Sequence, residues 1–566
     1  MKKLIHALTA TLLITASASD ARVNAPTAKA SAKGIVSAAD PRAAEAGREI
    51  LRAGGSAADA QMAMMLALTV VEPQSSGIGG GGFFVYQLAG GKLITIDGRE
   101  AAPSAATPQR FVGADGKPIP FFQAVPGGKS VGVPGNIRLM AMVHKRFGKL
   151  PWKALFAPAI RLAEQGYTVT RPMAAGMGFV SQVWSSFPAI RAQYTRDGKP
   201  LSEGALVKNP DLARTLRLIA DGGADAFYTG ETGQAIVTAA TTAERNPSDI
   251  TLADLAAYRA KERPPVCGTY RGYKICGMGP PSSGAVTVLQ VLGMVERFDM
   301  KKLGAASPVA WHLIGEAMLL AYADREKYLA DSDFVRVPVT GMIDKAYLRS
   351  RSMLISPDKS LGTYEAGTPP GAEPRTAALS GEIAGTTHFV AIDRRGNIGT
   401  MTSTVEGPFG SQILAGGFVL NNELTDFTFA PERGGAPVAN RVEGGKRPLS
   451  SMSPTIVYNA KGVPVFTVGA AGGKTIIMQV AKALIAHLDW GMDARASIGE
   501  GLVYFSGNTL VLEQGTGREA LKPALEALGH KVSVARLGLK ANAAQRTRGG
   551  WVGAADPRSV GVALSE

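Results

Sequence analysis

Apolar and polar positions change their spacing several times along the chain, and each change predicts a change of element. Residues 38–70 are rich in alanine, with apolar side chains recurring at helical spacing up to Gly54-Gly55 and again from Ser56, which predicts two consecutive helices. Ser76-Gly77-Ile78-Gly79-Gly80-Gly81-Gly82 follows, then the strand-like Phe83-Phe84-Val85-Tyr86 and Leu93-Ile94-Thr95-Ile96, which runs into Asp97-Gly98-Arg99-Glu100. No Gly-Lys-Ser/Thr follows the glycine run, so it reads as a turn and not as a phosphate cradle. Helical spacing dominates from about 135 to 330, with Pro and Gly marking the loops. Residues 356–384 lose periodicity and are rich in Pro, Gly, Ser, Thr and Glu, which predicts an exposed linker. The pattern then switches to strand: His388 to Ile392, a turn over Asp393-Arg394-Arg395-Gly396-Asn397, and a second strand from Ile398 to Val405. Thr455 to Tyr458 and Val463 to Val468 are strand-like, a helix follows Gly472-Gly473, and no fixed-period repeat is visible. This order of elements predicts a layered α+β or α/β sandwich.

The first residues change the expected location. Met1-Lys2-Lys3, a short apolar stretch from Leu4 to Ala16 and the Ala16-Ser17-Ala18 site predict a signal peptide cleaved after Ala18 (residues 1–18), hence a periplasmic or secreted protein. No later stretch reaches about 18 uninterrupted apolar residues, so no stable membrane span is expected. At 45% hydrophobic and 19% charged the composition is globular; the formal charge of +15 is scattered in pairs such as Lys301-Lys302, so a solvated basic surface is expected and no nucleic-acid partner. The two cysteines, Cys267 and Cys276, flank Tyr270-Arg271-Gly272-Tyr273, a turn sequence that predicts a hairpin bringing the sulfurs together. An oxidising compartment favours a disulfide there; two free thiols on one hairpin is the other reading. Six histidines, none spaced as a ligand pair with these cysteines, predict no metal site.

Candidate chemistry sits where linker becomes strand. With the turn centred on Arg395, antiparallel partners have numbers summing to about 790, which places Thr386 opposite Thr404. A threonine hydroxyl is a poor nucleophile and needs a base; a free α-amino group titrates at about 7.7–8.0 and can serve. Cleavage between Gly385 and Thr386 would create that amine, and Gly385 would let the backbone there take strained angles cheaply. On the local pattern alone, Thr386 and Thr387 also read as ordinary strand threonines.

Five blocks tip that balance: Asp97-Gly98-Arg99-Glu100, Gly385-Thr386-Thr387-His388-Phe389, Leu420-Asn421-Asn422-Glu423-Leu424-Thr425-Asp426-Phe427, Lys446-Arg447-Pro448-Leu449-Ser450-Ser451-Met452-Ser453-Pro454-Thr455 and Gly469-Ala470-Ala471-Gly472-Gly473. In this order they strongly resemble the γ-glutamyltransferase (γ-glutamyltranspeptidase) family, across nearly the whole mature chain. The resemblance implies an α+β fold, the four-layer αββα sandwich of N-terminal nucleophile hydrolases, built jointly by a large subunit (19–385) and a small one (386–566) that self-cleavage produces as a heterodimer. It implies Thr386 as nucleophile supported by Thr404, and Gly472 and Gly473 as oxyanion donors. Arg99, Ser450 and Ser451 would hold the substrate α-carboxylate, and Glu406, Glu423 and Asp426 its α-ammonium. It further implies glutathione and other γ-glutamyl compounds as donors, water, amino acids or peptides as acceptors, and no cofactor. His388 is expected to be structural, since this chemistry needs no imidazole.

Two features depart from the family pattern. Asn or Gln is common in other members where Glu406 and Glu423 stand. The segment from Phe427 to Gly445, which corresponds to a lid in some members, looks shorter and lacks tyrosine. Three other readings compete: a cephalosporin-acylase-like glutaryl amidase, which would leave Glu406, Glu423 and Asp426 without an ammonium; a serine hydrolase using Gly128-Lys129-Ser130-Val131-Gly132, where Gly132-Val133-Pro134-Gly135 stands in place of the required helix; and a non-catalytic exported binding protein.

Overall fold

The computed structural model describes residues 30–378, 381 and 385–566; the predicted signal peptide lies outside them. The strands of the two main sheets are β1 (Gly34–Ala38), β2 (Gly81–Gln87), β3 (Leu93–Gly98), β4 (Lys261–Arg263), β5 (Val266–Tyr270), β6 (Tyr273–Gly277), β7 (Gly385–Asp393), β8 (Ile398–Glu406), β9 (Thr455–Tyr458), β10 (Pro464–Ala471), β11 (Lys540–Thr547), β12 (Gly550–Ala555) and β13 (Val562–Ser565). The first sheet has the order β13-β1-β7-β8-β2-β3-β4 and the second β12-β11-β10-β9-β6-β5. Neighbours in both are antiparallel. That makes the fold α+β, because parallel α/β sheets need a crossover between neighbours.

Helices α1 (Pro41–Arg52) and α2 (Ala57–Val71) cover the outer face of the first sheet. Ser56 caps α2 in a capping box with Asp59, and every residue of α2 is buried, which is why its sequence is alanine-rich and apolar all round. Strand alternation then separates the faces. Phe84, Tyr86, Phe389 and Met401 join the α1/α2 core, whereas Phe83, Val85, Val390 and Ile392 share a core with Phe466 and Val468 of the second sheet. Helices α3 (Gly284–Val295), α4 (Pro308–Tyr328) and α5 (Thr475–Leu488) close the far side of that second core. The result is four layers, helix–sheet–sheet–helix.

Residues before and after Gly385 interleave in both sheets: β1 lies between β7 and β13, and β6 pairs with β9. The helix-rich region also contributes the β5–β6 hairpin, with Arg271 and Gly272 at positive φ in its turn and Cys267 joined to Cys276 in a disulfide across the pair. Residues 356–378 carry no helix or strand and are largely exposed. They are nevertheless no free linker: Tyr364 bonds Glu316, the Gly367 N–H donates to Asp324 at 2.8 Å, and Tyr328 donates to the Gly367 carbonyl at 2.8 Å. Side chains of α4 tie this segment down, a constraint that composition does not encode. Among the described residues, no helix is long and apolar enough to cross a membrane.

Candidate active site

The β7–β8 pairing brings the two threonines together. Thr386 is the Cα partner of Thr404, and their hydroxyl oxygens lie 3.1 Å apart in a buried setting. The register shifts between Gly385 and Thr386, so that Gly385 faces Glu406 and one residue of β8 bulges. This bulge reorganises the polar atoms: the Glu406 N–H donates to Thr404 Oγ1 at 2.8 Å, and the Thr404 hydroxyl donates to the Gly385 carbonyl at 2.8 Å. With Thr404 so engaged, the remaining arrangement has Thr386 donating to Thr404. The chain Thr386 O–H, Thr404 O–H, Gly385 C=O thus ends on the carbonyl of the bond before Thr386.

Opposite Gly385 in the pairing, Glu406 lies at φ +76°, a sparsely populated region for a glutamate. Gly385 is required by space, because a Cβ there would sit 2.4 Å from the Glu406 carbonyl oxygen.

Arg99 directly follows β3 and is fully buried, its N–H donating to Asp97 and its carbonyl accepting from Tyr258. Arg447, at 2.6 Å, and Arg263, at 3.1 Å, hold the Asp97 carboxylate in place. The Arg99 guanidinium donates to the Pro448 carbonyl at 3.2 Å and the Leu449 carbonyl at 2.8 Å, pairs with Asp426 at 2.5 Å, and bonds Glu423. Arg99, expected to bind carboxylate, is therefore bonded to Glu423 and Asp426, expected to bind ammonium, as buried charges require. Burial raises the Glu423 carboxyl above the usual range, with Arg99 opposing and Glu100 and Glu406 reinforcing.

Loops carry the remaining groups. The Asn440 amide donates to the Asp426 carbonyl and accepts from the Leu449 N–H, joining two of the site's segments. The Asn422 amide donates to Glu406 and accepts from Gly407 N–H at 2.9 Å. Ser450 is held by backbone bonds to Pro281 and Ser283, and Ser451 Oγ accepts from Arg325 of α4 at 2.9 Å. Gly472 and Gly473, at φ 136° and 57°, form the turn between β10 and α5. Lys474 after them pairs with Glu326 at 3.0 Å, so α4 braces this turn and the serine loop together.

Thr386, Thr404, Arg99, Glu406, Glu423, Asp426, Ser450, Ser451 and Gly473 line one small cleft with Met452 and Ile476; Gly472 is the one predicted member outside its lining. Asn422 stands within the 420–427 segment that carries the family resemblance but has no role assigned from sequence, whereas Arg325 and Asn440 belong to no motif. The competing serine is disposed of by its bonds: buried Ser130 donates to the Val125 and Gly127 carbonyls in a 3-10 turn. His388 is buried between Thr402 and Thr400, 2.8 and 3.1 Å away, and burial holds its imidazole at a pKa of about 3. The segment after Phe427 forms a small hairpin, Glu432–Arg433 with Ala436–Pro437, with an exposed tip and Arg433 reaching the Ala377 carbonyl at 3.0 Å.

A family model described as gamma-glutamyltranspeptidase matches residues 43–565. The chain belongs to the γ-glutamyltranspeptidase family. Its relatives in that family include the glutathione hydrolase proenzyme of Bacillus subtilis (strain 168), 36% identical over 545 residues that cover 94% of this chain and 91% of that protein. The acylase ACY 1 proenzyme of Pseudomonas sp. (strain SE83) is 37% identical over 509 residues, covering 88% of this chain and 87% of that one. Among solved structures, cephalosporin acylase from Bacillus halodurans superposes with a TM-score of 0.84 at 28% identity, covering 96% of this chain and 97% of that chain. Both proteins named as glutathione hydrolases and proteins named as acylases thus stand among this chain's relatives, and the cephalosporin acylase shares its fold.

Proposed function

We propose that the protein cuts itself between Gly385 and Thr386, and that Thr386 then transfers γ-glutamyl groups from glutathione and related amides to water, amino acids or peptides. The hydroxyl chain from Thr386 through Thr404 to the Gly385 carbonyl carries this reading. In the first reaction Thr386 Oγ attacks the Gly385 carbonyl carbon while its proton passes to Thr404 and that of Thr404 to the carbonyl oxygen. The C–N bond then breaks, the amide nitrogen takes a proton, and an ester links Gly385 to Thr386 Oγ. Water hydrolyses the ester, leaving a Gly385 carboxylate and a free Thr386 amine.

In the second reaction that amine accepts the Thr386 hydroxyl proton as Oγ attacks the γ-carbonyl of the donor, and it returns the proton to the leaving amine. The N–H groups of the Gly472-Gly473 turn are suited to the oxyanion. Arg99 with Ser450 and Ser451 offers donors to the α-carboxylate; Glu406, Glu423 and Asp426 offer acceptors to the α-ammonium. A zwitterionic head group entering the cleft brings one charge of each sign to the Arg99–Glu423–Asp426 cluster and can exchange partners with it. The two fragments would remain together as a heterodimer, and residues 1–18 would direct it to the periplasm or medium.

Denaturing electrophoresis with N-terminal sequencing tests the first reaction. The smaller band should begin Thr-Thr-His-Phe and end at Glu566, and Thr386→Ala should stay intact and inactive; an intact yet active wild type overturns the proposal. The acylase relatives support a second reading, a glutaryl amidase on the same site. Three acidic side chains in the cleft oppose it, since glutaryl has no ammonium for them. Faster turnover of glutaryl than of γ-glutamyl anilides would establish that second reading.

A further inference from the structure

Away from the cleft, α4 carries His312 and Glu316 four residues apart on one face, both fully buried. His530, 218 residues beyond His312 in sequence and also buried, packs against them: His312 Nδ1 lies 2.6 Å from His530 Nε2, and Glu316 Oε1 lies 3.7 Å from that same nitrogen. One ligand atom from each of the three falls within 4.8 Å of the others.

The surroundings orient these atoms. His312 Nε2 lies 2.7 Å from the Ser356 carbonyl, which can only accept, so Nε2 carries a hydrogen and the neutral ring's Nδ1 lone pair faces His530. A carbonyl on the remote N–H is the usual support for a metal-binding imidazole. Glu316 is likewise held, by Tyr364, by Ser360 at 3.1 Å and by the Leu361 N–H at 3.0 Å. Yet among the described residues no lysine or arginine pairs with this buried carboxylate; its one ion-pair neighbour is His530. A buried carboxyl oxygen and two imidazole nitrogens thus converge within 4.8 Å, a donor set suited to a metal cation.

We propose that His312, Glu316 and His530 bind one divalent transition-metal ion of the Zn2+ class, with water completing four-coordination, as a structural clasp. Zinc at about 2.0–2.1 Å from each nitrogen needs the two nitrogens somewhat further apart than the 2.6 Å at which they lie, so the rings would separate on binding. The clasp joins α4 and the 356–364 segment to His530, which lies beyond Thr386 in the chain; the Ser360 N–H, 2.6 Å from the Leu528 carbonyl, reinforces the same seam. The ion has no part in the proposed acyl transfer, and its binding does not depend on cleavage.

The test uses full-length protein purified without a metal-affinity tag or column. Metal analysis should find about one equivalent of zinc per chain. Stripping with dipicolinate should lower Tm by on the order of 5 °C, and Zn2+, not Mg2+, should restore it. Glu316→Gln and His530→Gln should each lose the metal and the zinc response. If either variant fails to fold, Co2+ added to the stripped wild type should produce visible absorption of a four-coordinate nitrogen–oxygen site. A stripped wild type whose Tm ignores Zn2+ and which develops no Co2+ spectrum overturns the proposal, as does bound zinc that both substitutions leave in place.

Discussion

At the scale of single residues, Thr404 bonds Thr386, Gly385 and Glu406 at once, and its hydroxyl links the proposed nucleophile to the carbonyl oxygen of the bond it attacks. Thr404→Val keeps the shape and removes the relay; self-cleavage followed by gel densitometry should slow by about 10²-fold or more, whereas Thr404→Ser should stay near wild type. Arg99 argues differently, because its fork bonds two carboxylates and two carbonyls. Arg99→Lys retains the charge and loses the fork, so KM for a γ-glutamyl anilide should rise by about 10–100-fold, with kcat changing less. An unchanged KM would remove Arg99 from donor binding.

At the scale of elements, the β7–β8 hairpin shows what pairing arithmetic can reach. The rule of partners summing to 790 holds from Thr386↔Thr404 through Ile392↔Ile398 and breaks at Gly385↔Glu406. Ladder geometry is local and repeats along a strand, so the turn position alone places Thr404. The bulge answers to Glu406 meeting Asn422 and to the lack of room for a Cβ at Gly385, and neither is written in the hairpin. Gly385→Ala should therefore leave most precursor uncut on a gel.

The same hairpin supplies a pH dependence. His388 packs so closely under β10 that a Cβ on Gly469 would fall 2.3 Å from its ring. Burial lowers the His388 pKa from 6.5 to about 3. Between those values the unfolded chain binds the proton and the folded chain does not. His388 therefore costs nothing above pH 6.5 and removes up to about 1.4 kcal/mol of stability per pH unit as pH falls below it. Urea midpoints at pH 7.5 and 5 should differ, and by less in His388→Gln; an equal drop in both proteins would show that other groups control it.

At the scale of the whole molecule, β1 lies between β7 and β13, and the second sheet takes two strands from before Gly385 and four from after it. Fragments produced by cleavage cannot part without breaking both sheets and the core between them. An affinity tag on one fragment should retain the other in native buffer and release it only under denaturing conditions.

What could be read without coordinates was whatever depends on near neighbours in sequence: the two consecutive helices within residues 38–70, the two hairpins, and the blocks that place Thr386 in its family. Local hydrogen bonding and side-chain alternation leave that imprint on consecutive residues. The reach of Arg325 into the serine loop, the anchoring of residues 356–378 by α4 and the meeting of His312 with His530 left no such imprint. Each is a contact between side chains far apart in the chain, brought together only when two sheets and their helices pack into one core.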